Sequence, residues 1–78
     1  MKTVKISLNS IDKVKSFVNE ITKYDYDFDL VSGRYVIDAK SIMGIFSLDL
    51  SKSIDLNIHA DDSEIDKILR TLKPYIVE

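Results

Sequence analysis

The apolar residues of this chain alternate with a period of two, switch to helical spacing, and switch back, from one end to the other. That repeated change of period is the strongest constraint on what it can fold into. "MKTVKISL" puts Val4, Ile6 and Leu8 on one face and Thr3, Lys5 and Ser7 on the other, as in a half-buried strand. "NSIDKVKSFVNEITKY" then spaces Ile11, Val14, Phe17, Val18 and Ile21 for a helix over Ser10–Lys23, with Ser10 or Asn9 as N-cap. "YDYDFDL" returns to period two, with Tyr24, Tyr26, Phe28 and Leu30 against Asp25, Asp27 and Asp29. Ser32-Gly33 supplies a turn into "RYVIDA", where Tyr35, Ile37 and Ala39 are expected to face the core, so the two strands read as a hairpin. A short apolar segment around Gly44 follows, then a strand in "SIDLNIHA" with Ile54, Leu56 and Ile58 inward. The last helix begins at Asp61, Asp62 or Ser63, buries Ile65, Ile68, Leu69 and Leu72, and ends near Pro74. The order β-α-β-β-α-β-α predicts an α+β layer: a four-stranded antiparallel sheet with one face covered by helices and the other in water.

At 78 residues the chain is expected to be a single domain, 1–78, with a thin stability margin. Its 45% hydrophobic residues suffice for one core, and 31% charged residues argue against disorder. A net charge of −2 offers no excess of cations to neutralise phosphates, so nucleic acid is not expected as a direct partner. With no cysteine there are no disulfides, no thiolate nucleophile and no common zinc framework, which fits a cytoplasmic setting. The alternating N-terminus lacks the apolar region of a signal peptide, and no stretch approaches a membrane span, so membrane insertion is not expected.

Three features invite a chemical reading. The row Asp25, Asp27, Asp29 is either a loose cation site or a solvated face that opposes edge-to-edge aggregation; a flat row suits the second, and no metal site is expected. His59 closes a strand beside Asp61, its only obvious local partner, and carries no sign of catalysis. Ser41 stands directly before "IMGIF", where its simplest role is an N-cap. The same position would welcome a phosphate, with Lys40 and Lys52 as candidate screening charges. A short helix over about Ser41–Leu48 cannot bury Ile42, Met43, Ile45, Phe46 and Leu48 together, which leaves some of them for packing and some for a partner surface. Nothing in the spacing selects an acid–base pair, and two glycines make no phosphate loop, so neither an enzyme nor a cofactor is expected.

"KSIMGIFSL", together with the preceding "YVIDA" and the following "IDLNIHADD", resembles HPr, the phosphocarrier of the bacterial phosphoenolpyruvate:sugar phosphotransferase system. The match is specific over Lys40–Leu48 and mainly topological before Tyr35. The resemblance implies an open-faced β-sandwich, a regulatory phosphorylation at Ser41 by HPr kinase/phosphorylase, and a partner surface containing Ile42, Met43 and Phe46. Partners implied are that kinase, the catabolite control repressor and components of the phosphotransferase system.

The resemblance breaks at the first helix. The family's phosphocarrier histidine lies in a segment like Gly-Ile-His-Ala-Arg-Pro-Ala; here "LNSIDKVKS" sets Ser10 at the histidine's place and Asp12 at the arginine's. Serine is a poor nucleophile without a base, and an aspartate repels a phosphoryl donor. The chain therefore resembles, in logic, the catabolite-repression branch of the family, which lacks the histidine and keeps the serine. The expectation is a non-catalytic regulator or adaptor, with a phosphocarrier using another residue, or a purely structural interaction domain, as alternatives.

Overall fold

A computed structural model describes residues 1–77. The elements are β1 (Lys2–Ile6), α1 (Ile11–Ile21), β2 (Asp27–Ser32), β3 (Tyr35–Asp38), α2 (Ile42–Phe46), β4 (Ile54–His59) and α3 (Asp62–Leu72), followed by a 3-10 turn at Lys73–Tyr75. The strands form one sheet in the order β1-β4-β2-β3, every neighbouring pair antiparallel. β1 and β2 therefore run parallel with β4 between them, and β3 and β4 run parallel with β2 between them. Each of these pairs is joined through a helix, so two split β-α-β units interleave.

Alternation explains which side is dry. Phe28 and Leu30 in β2, Ile54, Leu56 and Ile58 in β4, and Ile6 in β1 all turn to the helices and are buried. α1 adds Val14, Phe17, Val18 and Ile21, and α3 adds Ile65, Ile68 and Leu72, completing one apolar cluster. Tyr75, absent from the expected helix face, is also buried: its ring meets Phe17 edge-on at 5.6 Å, and its hydroxyl hydrogen-bonds that of Ser16 at 2.6 Å. Placed there, the chain end borders β1. Ser7 N–H donates to the Tyr75 carbonyl and Val77 N–H to that of Lys5, each at 2.8 Å, so residues 75–77 cover the outer edge of β1 from Lys5 onward.

Several expectations are corrected. β2 begins at Asp27, not Tyr24, because the chain spends residues 22–26 turning out of α1. Tyr24 and Tyr26 are half-buried in that turn, where the Tyr24 hydroxyl hydrogen-bonds Thr71 at 2.9 Å. Leu8 and Ala39 are buried just beyond their strands. Tyr35 lies on the helix side by register but is 70% exposed, because it borders an open depression with Ser47 and Leu48 at the end of the hairpin. Ile11 shares the helical spacing of Val14 yet is 61% exposed, because it sits at the first turn. Leu69 is half-buried beside the core. Asp61 begins α3 without a side-chain cap bond; its carbonyl accepts Glu64 N–H and Ile65 N–H instead.

Candidate functional site

The corner between β3 and α2 is built by backbone bonds around Asp38 and Ser41. Ser41 N–H donates to the Asp38 carbonyl at 3.0 Å, and Lys40 N–H donates to Asp38 Oδ1 at 2.9 Å. Ser41 is extended (φ −94°, ψ 102°), the geometry of an N-cap. Its carbonyl accepts Ile45 N–H at 3.0 Å and its Oγ accepts Gly44 N–H at 3.2 Å. The hydroxyl lies on an exposed residue. Gly44 lies close under this cap: a Cβ there would stand 3.2 Å from Ser41 Oγ and 3.4 Å from Ile37 Cδ1, so the capping side chain would have to shift by a few tenths of an ångström.

The apolar residues of α2 divide sharply. Ile45 is fully buried, Ile42 is half-buried, Phe46 is 41% exposed and Met43 is 81% exposed. Phe46 shares a shallow depression with Asn9, Ser10, Ile11, Leu50 and Ser51, so the start of α1 and the body of α2 form one surface. Sequence reasoning does not single out Ile11 and Leu50 as surface residues. Ile11 reads as core by spacing, and Leu50 lies in a loop where periodicity is silent.

Ser10 sits at the centre of that second contribution. It is an exposed, extended N-cap (φ −147°, ψ 156°) whose Oγ accepts Lys13 N–H at 3.1 Å and whose carbonyl accepts Val14 N–H. Asp12 follows in the first turn, where a negative charge favours the helix and disfavours an incoming phosphoryl group.

Neither lysine expected beside Ser41 is seen screening it. Lys40 reaches away: its Nζ donates to the Tyr24 carbonyl at 2.8 Å and lies 5.7 Å from the centre of the Phe28 ring. Lys52 lies near Asp49, whose carboxyl is held below its ordinary value by hydrogen bonds from the Ser51 side chain and backbone, with Lys52 adding attraction. His59 pairs with Asp29 across β4 and β2 at 2.6 Å, not with Asp61, because the strands pair antiparallel in that register. This pair is on the solvent face, away from both helix starts. Asp27 and Asp29 belong to an interior strand, so they guard no edge, and Asp25 lies in the preceding turn. Among the described residues no group of three or more His, Cys, Asp or Glu is placed to hold a metal ion, and no helix is long and apolar enough to cross a membrane.

An open antiparallel sheet under helices thus carries a serine-capped turn beside a partly exposed apolar patch. Residues 13–78 match the family model described as the PTS HPr component phosphorylation site. The chain belongs to the HPr family. Among solved structures it is similar to HPr-C-His from Thermoanaerobacter tengcongensis, at 30% identity, covering 92% of this chain and 90% of that one, with a TM-score of 0.73. It is also similar to the phosphocarrier protein HPr of Bacillus anthracis, at 25% identity over 97% and 94% of the two chains, with a TM-score of 0.70. The catabolite repression protein Crh of Bacillus subtilis shares the fold at 23% identity over 96% and 90%, with a TM-score of 0.63. A comparison with curated proteins finds no match.

Proposed function

We propose that this HPr-family chain is a cytoplasmic regulator or adaptor of sugar uptake and carbon catabolite control, switched by phosphorylation at Ser41. The observation that carries this reading is the contrast between two helix starts. At α2 the hydroxyl of an exposed serine stands beside the apolar residues Ile42, Met43 and Phe46. At α1 the corresponding position holds Ser10 with Asp12 in the same turn, and the chain's only histidine, His59, is engaged with Asp29 on the far side of the sheet. A histidine phosphocarrier needs an exposed imidazole at a helix start; this chain has none to offer there.

The switching step is phosphoryl transfer: Ser41 Oγ attacks the γ-phosphorus of ATP, ADP leaves, and the hydroxyl proton passes to a base of the kinase. The product adds about −1.5 to −2 charge beside Met43 and Phe46. A partner that offers cations opposite Ser41 gains affinity; a partner that docks on the unmodified apolar surface loses it. The Gly44 N–H bond favours a second reading, in which Ser41 only caps. Incubation with HPr kinase/phosphorylase and ATP, read by intact mass, separates the two. One added phosphate on the wild type and none on Ser41→Ala is expected; an unmodified wild type, or equal labelling of the variant, defeats the switch. No acid-labile phosphohistidine is expected with enzyme I and phosphoenolpyruvate.

A further inference from the structure

Among the described residues the two borders of the sheet are treated differently. The β1 border is covered from Lys5 to Ser7 by the backbone of residues 75–77, whereas β3 has no strand beyond it along its whole length. Open edges are normally blunted by shortness, by charged side chains (lysine above all), by proline or by a covering segment. β3 is short, at four residues, but it holds no lysine or proline, and it carries Tyr35 at 70% and Val36 at 64% exposure. Its charges stand at either end: Arg34, in the turn, and Asp38. Neither makes an ion pair among the described residues. Asp38 also stands directly opposite Asp29 on β2, and Asp29 takes His59 as its own partner, which leaves Asp38 without a counter-charge among the described residues.

The backbone specifies how this edge can be used. Gly33, at φ 59°, and Arg34 form a two-residue loop that closes on the pair Ser32·Tyr35. That pair and Leu30·Ile37 exchange bonds with β2, so by alternation the N–H and C=O of Val36 point outward. An antiparallel strand bonded at Val36 and taken from a second copy is centred on Val36·Val36. The same register sets Arg34 opposite Asp38 of the second copy, and Tyr35 opposite Ile37 of the second copy, each twice by symmetry. On this chain Asp38 Oδ1 already accepts Lys40 N–H, which leaves Oδ2 for the incoming guanidinium. We propose that β3 is a self-complementary edge that pairs with β3 of a second copy about a two-fold axis, joining both sheets into one. The charges match only in this antiparallel, Val36-centred register. This does not depend on modification at Ser41.

A short paired edge is a small interface, below about 1,200 Å², so the dimer belongs to the micromolar-to-millimolar range. Sedimentation velocity over that range on the wild type should show a reversible monomer–dimer equilibrium. Val36→Lys, an exposed site whose change leaves the fold's circular dichroism unaltered, should abolish it by opposing like charges at the axis. Arg34→Asp and Asp38→Arg should each weaken self-association roughly tenfold. In each variant alone, the two-fold axis brings like charges together at both ends of the paired strands. An equimolar mixture of the two variants restores opposite charges at both ends, and so should recover dimer as a hybrid. A wild type that stays monomeric throughout, dimerisation that survives Val36→Lys, or a mixture no more associated than its separate components would overturn the proposal.

Discussion

Replacing Ser41 by alanine deletes the oxygen that accepts Gly44 N–H at 3.2 Å, in a helix of only five residues. Loss of a serine N-cap costs about 1 kcal/mol, with a range of roughly 0.5–2. In a domain of this size each ~1 kcal/mol lowers the melting temperature by about 4–8 °C. Ser10→Ala is a matched control, because Ser10 has the same extended geometry, the same exposure class and a 3.1 Å bond to Lys13 N–H. Both alanine variants should therefore melt about 4–8 °C below the wild type in calorimetry at neutral pH. Ser41→Asp keeps a good cap acceptor and should return to within ~0.5 kcal/mol of the wild type. This separates stability from signalling, since the aspartate variant is folded like the wild type yet carries charge where the phosphate would be. A Ser41→Ala protein as stable as the wild type, beside a Ser10→Ala protein that loses its expected share, would refute the capping argument for α2. A loss well above ~2 kcal/mol would refute it too, by showing that the hydroxyl supports more than one turn.

Two further expectations rest on burial and on charge. Ile45→Ala should cost about 2–5 kcal/mol in urea denaturation because the side chain is fully buried. Met43→Ala, at 81% exposure, should stay within about 0.5 kcal/mol while weakening partner binding. Asp49 has a carboxyl held below its ordinary 3.8 by the Ser51 bonds and Lys52. Its folded-state value is depressed, so its contribution is present above the unfolded value and is lost as pH falls through the folded one. The Ser51 amide resonance should titrate with a midpoint below 3.8; a midpoint at or above that value would contradict the loop geometry.

Much of the fold is legible in the sequence because burial on one sheet face imposes period two and packing of a helix imposes 3.6. Val4 and Ile6, Ile54 through Ile58, and the faces of α1 and α3 follow from that alone. The boundaries were less legible. "YDYDFDL" alternates throughout, but only from Asp27 is there a β4 partner to pair with, and alternation cannot say where a helix stops needing chain to turn. Tyr75 carried no periodic signal, because it enters the core from a single turn after Pro74.

At the site, the order of residues along the chain already places Ser41 before a short apolar turn, Gly44 within it, and no histidine near Ser10. These are local facts, fixed by neighbours along the chain. Tertiary packing sets what sequence neighbours cannot: that Lys40 turns to the Tyr24 carbonyl, that His59 takes Asp29, and that Phe46 lines one depression with Ile11 and Leu50. It also sets residues 75–77 against the end of β1 and, among the described residues, nothing against the outer edge of β3. Side-chain direction and strand order depend on which distant segments share a surface, and the hydrophobic pattern records only that each segment must be covered, not by what.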